Sequence, residues 1–153
     1  MSNAYLANFL EMAKRIVKAE RGLAVDGDAV IIVTSNLDEA ELKSGDMMVL
    51  IDQIVTDALA DNESILGNNI IRDPAKAPNT NTAFRNLRLV VAIPVGGGLG
   101  AIYMDRQVRD GVMQREDIEK IQRLGQYLVE QNLLDLSPDE MYLRFQNMDA
   151  ATG

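Results

Sequence analysis

The 153-residue sequence contains no cysteine and no histidine. Without cysteine it has no thiolate nucleophile, no disulfide and no thioether link to a chromophore. Without histidine it has no imidazole base and no axial histidine ligand for haem. These absences exclude a covalently bound bilin, a His-ligated haem and a Cys/His metal site. Carboxylates alone remain for catalysis, and no acidic pair stands in a context that would shift a pKa usefully, so we expect no enzyme and no catalytic residue.

Basic residues are also scarce, because 15 Lys and Arg stand against 23 Asp and Glu, giving a formal net charge of -8. Such a chain repels nucleic acid and anionic lipid, so neither is an expected partner. The longest uncharged stretch, 89–104, has 16 residues and is interrupted by Pro94 and four glycines, which is too short to span a bilayer. The N-terminus has no basic region before its apolar residues, unlike a secretory signal. We therefore expect a cytoplasmic location.

The apolar fraction of 47% is enough to build one domain with its own core. Apolar spacings of three and four predict helices over 5–19, from Asp46 onward and over 114–134, and Ser137-Pro138-Asp139-Glu140 forms a capping box for a last helix over 138–147. β-rich runs predict strands over 22–25, 29–34, 64–66 or 69–71, 87–95 and 99–105.

The order of these elements is helix, two strands, helix, strand, loop, two strands and two helices. Strand pairs joined by short turns require an antiparallel sheet, and helices from both chain ends must cover it. The fold class is therefore α+β, with a central antiparallel sheet of about five or six strands flanked by helices from both chain ends.

Several segments, in their order along the chain, resemble a GAF domain over about residues 5–133. They are Ala19-Glu20-Arg21-Gly22, Asn69-Ile70-Ile71-Arg72-Asp73-Pro74, Leu89-Val90-Val91-Ala92-Ile93-Pro94-Val95 and Leu99-Gly100-Ala101-Ile102-Tyr103-Met104-Asp105, followed by Arg115-Glu116-Asp117. A PAS domain or another profilin-like fold is the alternative, since it shares the central sheet. The resemblance divides the chain into a GAF-like domain at 5–136, an additional C-terminal amphipathic helix at 137–148 and a tail at 149–153.

The resemblance implies a regulatory module, which binds a small molecule between the sheet and the loop–helix region or dimerises through its terminal helices. GAF members that reduce free methionine sulfoxide act through cysteines, which this chain lacks. Our first hypothesis is therefore a non-enzymatic sensory or regulatory domain that binds an unidentified small molecule in signal transduction. The alternative is a ligand-free module for dimerisation or for docking a partner.

The motif of cyclic-nucleotide-binding GAF members is Asn-Lys, a spacer, Phe, three residues and Asp-Glu. Here Asp105 and Arg106 stand for Asn-Lys, Val112 stands for Phe, and Glu116 and Asp117 stand for Asp-Glu. Every letter differs, while opposite charges remain at the two ends. We therefore expect a structural ion pair of Arg106 with one of the two carboxylates, tying the last strand to the helix that follows it.

The longest predicted loop runs from 72 to 85 and mixes hydrogen-bonding groups with one aromatic ring. Long loops on a rigid scaffold often carry binding groups. The candidate ligand-binding residues are Arg72, Asp73, Asn79, Thr80, Thr82, Phe84 and Arg85, with the arginines as an anion clamp and the aromatic ring as one wall. An ordinary surface loop with Phe84 packed into the core is the alternative.

Two further patterns bear on structure rather than on a ligand. Gly96-Gly97-Gly98-Leu99-Gly100-Ala101 satisfies the letters of a dinucleotide fingerprint, but an apolar strand follows where that motif needs a helix, so we expect a hairpin turn. The helices over 5–19 and 114–134 carry more apolar surface than one sheet face covers, so we expect a homodimer through these terminal helices. The last helix, with Met141, Tyr142, Phe145 and Met148 along one stripe, either covers that surface within the monomer or extends the dimer contact.

Overall fold

The computed structural model describes residues 2–37, 45–67, 88–107 and 113–152. This part of the chain forms helices α1 (Ser2–Val17), α2 (Gly45–Asp61), α3 (Arg115–Glu130) and α4 (Pro138–Thr152), and strands β1 (Arg21–Asp26), β2 (Ile31–Ser35), β3 (Ile65–Gly67), β4 (Arg88–Val95) and β5 (Gly100–Gln107). The α+β class is confirmed. Within the described ranges, no helix combines the length and the apolar character that crossing a bilayer requires.

The five strands form one sheet in the order β2-β1-β5-β4-β3, with antiparallel neighbours throughout. Its two hairpins, β1–β2 and β4–β5, are those that the turn residues predict. Gly96, Gly97 and Gly98 all have positive φ angles, which glycine adopts without steric cost. The glycine run therefore makes a turn between antiparallel strands, as expected from the apolar strand after it.

Each face of the sheet has its own core. On one face α1 and α3 pack over alternate residues of the central strands, and α4 packs against these two helices. The buried side chains of this larger core include Tyr5, Leu6, Phe9, Leu10, Val91, Ile93, Ile102, Met104, Ile118, Leu124 and Met141. On the other face α2 packs over the intervening residues; this smaller core includes Leu23, Val25, Ile51, Val55, Val90, Ala92, Ala101 and Tyr103. Adjacent residues of one strand thus contribute to different cores, as the period of two requires.

Helix α1 approaches α3 closely at Gly125, where α3 has no side chain. The Tyr5 hydroxyl donates a hydrogen bond of 3.1 Å to the Gly125 carbonyl oxygen, and Tyr5 is fully buried. Burial raises the pKa of this hydroxyl above its usual value of 10.0. The Phe9 ring fills the space beside the glycine, where a Cβ would lie 2.9 Å from the ring's Cζ. The contact therefore depends on the absence of a Cβ.

The last helix covers α1 within the monomer. Its predicted capping box is present, since the Glu140 amide donates to the Ser137 hydroxyl at 3.1 Å and the Ser137 amide donates to the Glu140 carboxylate at 3.3 Å. Met141 and Phe145 are buried in the core that α1 and α3 share. Arg15 of α1 pairs with Asp139 at 2.9 Å.

This helix continues to Thr152, whereas the sequence places its end at 147 and assigns a tail to 149–153. Asp149, Ala150 and Ala151 are compatible with a helix, and no glycine or proline intervenes before Gly153. The helix thus extends several residues beyond the apolar stripe that predicts it.

We expect Gly125→Ala to lower the free energy of unfolding by about 1 to 3 kcal/mol, because the new Cβ would overlap the buried Phe9 ring. This loss exceeds the helix-propensity gain of about 0.5 to 1 kcal/mol that alanine brings. Urea denaturation would measure it. Phe9→Leu is the matched test, because shortening the ring should cost less in the Gly125→Ala background than in the wild type. A Gly125→Ala variant of unchanged or raised stability would contradict the contact.

Tyr5→Phe should reduce the alkaline sensitivity of the fold. At pH 8 the variant loses about 1 kcal/mol, the net value of one buried hydrogen bond. Above pH 10.0, the usual pKa, the unfolded wild type loses a proton that the folded wild type keeps, so its free energy of unfolding falls with pH. The variant lacks this contribution. Over roughly two pH units around the usual pKa, from about pH 9 to about pH 11, its urea midpoint should therefore fall less than that of the wild type. Parallel pH profiles would contradict the assignment.

Candidate functional site

A buried ion pair joins β1 to β5, two interior strands of the sheet, on the α2 face. Arg21 of β1 stands directly opposite Asp105 of β5 in the strand register. The Arg21 Nε donates to Asp105 Oδ1 at 2.8 Å, and Nη2 donates to Oδ2 at 2.9 Å. The Asp105 side chain is fully buried and that of Arg21 is 12% exposed. This bidentate geometry is the strongest form of a guanidinium–carboxylate contact.

Tyr103 adds a third donor to the same carboxylate. Its hydroxyl donates to Asp105 Oδ2 at 2.6 Å, and the residue is fully buried. Tyr103 and Asp105 are two positions apart on β5, so their side chains lie on the same face of the sheet. We call Arg21, Tyr103 and Asp105 the β1–β5 network. Burying these charges costs desolvation energy, which the three hydrogen bonds offset only while all partners are in place.

The β1–β5 network lies at the end of the sheet where several connections leave it. The strand register forms one row, from Gly67 through Val90 and Asp105 to Arg21. Residues 68–87 connect β3 to β4 at this row, and residues 108–112 follow β5 at the same end. The network is therefore a polar group within an apolar face, in the row of the sheet where β1 begins and β3 ends.

The predicted ligand-binding residues Arg72, Asp73, Asn79, Thr80, Thr82, Phe84 and Arg85 lie outside the described residues. Their assignment stays a prediction. Val112, which stands for the Phe of the cyclic-nucleotide motif, also lies outside the described part.

The residues of the predicted structural ion pair lie on the opposite face from the β1–β5 network. Arg106 is 6% exposed and points to the side of the sheet that α1 and α3 cover. With Asp117 it lines a cavity of about 250 Å³ between the end of α1 and the start of α3. Its Nε makes no hydrogen bond with the described residues, although the guanidinium group as a whole has other interactions.

The first turn of α3 distinguishes the two candidate carboxylates. Asp117 is half-buried and lines the cavity, whereas Glu116 is exposed. Both stand in the first helical turn, where negative charge interacts favourably with the helix dipole. The structure thus brings Arg106 and Asp117 to one cavity, and the ion pair between them stays a prediction.

Of three comparisons with known proteins, the one with solved structures places the fold. No protein-family model matches the sequence, and no curated protein matches it. The solved structures include a similar one, the crystal structure of a GAF domain/HD domain protein from Geobacter sulfurreducens, with 12% sequence identity and a TM-score of 0.54 over 95% of this chain and 94% of that chain. The chain has a GAF-like fold. The GAF resemblance in the sequence is therefore confirmed for the fold, and fold alone does not assign function.

Sequence reasoning missed the β1–β5 network. The sequence contains a signal for it. Arg21 is two positions from Leu23 and Asp105 is two positions from Tyr103, so each charge shares a strand face with a core residue. A charge at such a position needs a partner of opposite sign. The register of two strands separated by 84 positions was needed to pair them.

We expect Arg106→Ala to lower the free energy of unfolding by about 0.5 to 2 kcal/mol, because the guanidinium is shielded from water beside Asp117. Urea unfolding in double-mutant cycles would measure the coupling. Asp117→Ala should couple to Arg106→Ala, and Glu116→Ala, one residue earlier and exposed, is the matched control that should not. The proposed ion pair would be contradicted if Arg106→Ala left the urea midpoint unchanged. It would also be contradicted if neither Asp117→Ala nor Glu116→Ala showed a coupling energy with Arg106→Ala.

Proposed function

We propose that the chain is a non-enzymatic sensory or regulatory domain of GAF type, which binds a small molecule on the α2 face of its sheet, beside the β1–β5 network. The observation that carries the proposal is the position of Arg21, Tyr103 and Asp105 on an otherwise apolar face. Ligand sites are mostly apolar surfaces with a few well-placed polar groups.

The connections at this end of the sheet support the same location. The predicted ligand loop, 72–85, belongs to the segment that leaves β3 after Gly67 and returns to β4 at Arg88. Its last residue, Arg85, precedes Arg88 by three positions, so covalent connectivity holds it to within about 11 Å of the start of β4. The proposed ligand lies beside the network and carries hydrogen-bonding groups that match a guanidinium, a hydroxyl and a carboxylate.

The network also has a simpler role, since it joins β1 to β5 whether or not a ligand is bound. That role explains the pairing of Arg21 with Asp105, but it does not require the pair to stand beside the chain connections. The absence of cysteine and histidine supports a binding function over a catalytic one. We place this domain in cytoplasmic signal transduction, where its ligand would be a metabolite or messenger.

Native mass spectrometry of freshly purified protein tests the proposal, because it reports bound small molecules and subunit number together. We expect a fraction of the wild-type protein to carry an additional mass. Tyr103→Phe removes one hydrogen bond to Asp105 and should weaken retention about 3- to 10-fold, the equivalent of about 0.5 to 1.5 kcal/mol.

Tyr5→Phe is the matched control, since it removes an equally buried, hydrogen-bonded hydroxyl from the opposite face of the sheet. Its bound mass should equal that of the wild type. The proposal fails if no preparation carries an additional mass and a metabolite library causes no NMR shifts around Tyr103. An equal loss of the bound mass in Tyr103→Phe and Tyr5→Phe would also count against the proposal, because both variants would then act by lowering the stability of the fold.

A further inference from the structure

Helices α3 and α4 form the walls of an open groove on the outer side of the molecule, away from the β1–β5 network. The groove has a volume of about 830 Å³, and its walls include Arg123, Leu124 and Tyr127 of α3 and Leu143, Arg144 and Met148 of α4. On α3, Tyr127 follows Leu124 by three positions and Arg123 by four, and on α4, Met148 follows Arg144 by four, so each helix presents one face to the groove.

The groove exposes apolar side chains that the monomer does not cover. Tyr127 is 45% exposed and Leu143 is 58% exposed, and they are two of the four large apolar residues that stand exposed in the described part of the chain. Of the other two, Val30 lies in the connection between β1 and β2, and Val49 lies on α2. Single exposed apolar residues are ordinary, whereas a pair lining one groove between two helices marks an interaction surface.

The charges around the groove are predominantly basic on an acidic protein. Neither Arg123 nor Arg144 forms a hydrogen bond or an ion pair with another described residue. The carboxylate in the groove wall, Glu140, is engaged in the capping box at the start of α4. The two guanidinium groups are therefore available to an acidic partner, although the chain as a whole carries a charge of -8.

We propose that this groove docks an acidic amphipathic helix of a partner protein. The apolar face of such a helix would lie on Tyr127 and Leu143, with residues spaced i, i+3, i+4 and i+7. Its glutamates or aspartates would lie against Arg123 and Arg144 at the rim, where opposite charge sets orientation and speeds association.

A second copy of the chain fits this groove less well. In a two-fold contact the same patch meets itself, so Arg123 and Arg144 of one copy would meet a groove with the same predominantly basic lining on the other. The carboxylate that the described groove wall contains, Glu140, is already engaged in the capping box of α4.

A phage-displayed library of helix-forming peptides of about 16 residues, roughly four helical turns, provides the probe. Selection uses the intact wild-type chain, with counter-selection against Leu143→Asp, whose exposed position should leave the fold intact, as circular dichroism would verify. We expect enrichment of peptides with an apolar i, i+3, i+4, i+7 stripe flanked by acidic residues. Enrichment of basic or uncharged stripes, or no enrichment, would overturn the proposal.

Fluorescence anisotropy of a selected peptide then tests the charges. Combining Arg123→Glu with Arg144→Glu should weaken binding about tenfold or more, and salt should weaken wild-type binding through screening. Arg115→Glu is the matched control, since Arg115 is exposed on the same helix outside the groove, and it should have little effect. Equal loss in the control would refute a specific site. Sedimentation that shows a wild-type dimer, converted to a monomer by Leu143→Asp, would assign the groove to a second copy and overturn the proposal.

Discussion

The pairing of β1 with β5 holds the two ends of the chain together. β1 follows the first helix and β5 precedes the third, so the strands that form the centre of the sheet lie far apart in sequence. Each of these strands brings its hairpin partner, β2 or β4, so four of the five strands follow from this contact, and β3 joins them by pairing with β4. The bidentate contact between Arg21 and Asp105 fixes the register, because a slip of one residue would place the two charges on opposite faces of the sheet.

The two faces of this sheet use different kinds of interaction. On the α1 face the core is apolar and closely packed, with Phe9 against Gly125 and the Tyr5 hydroxyl bonded to the Gly125 carbonyl. The α2 face combines a smaller apolar core with the buried charges of Arg21 and Asp105. Buried ion pairs contribute little net stability compared with apolar residues of similar volume. The α2 face therefore carries the arrangement with the larger desolvation cost, and this asymmetry is why we propose ligand binding there.

Local patterns predicted the secondary structure because each signal acts within a few residues. The glycine run before Leu99 produces the hairpin turn that it indicates, and the capping box of Ser137 and Glu140 produces the helix start. The end of α4 was misplaced because an apolar stripe marks the buried face of a helix and not its length. The β1–β5 network was missed because Arg21 and Asp105 become neighbours only through strand register. Long-range pairing is the part of this fold that no local signal determines.

Adjacent positions at the end of β5 connect the two faces. Asp105 points to the α2 face and joins the β1–β5 network, while Arg106 points to the other face and lines the cavity at the start of α3. The same helix carries Arg123 and Tyr127 in its later turns, where the groove with α4 begins. A backbone shift of β5 would move both side chains together, since consecutive residues share a rigid peptide plane. The proposed ligand site and the α3–α4 groove are therefore linked through one strand and one helix, and energetic coupling between them would require that this path have two discrete arrangements.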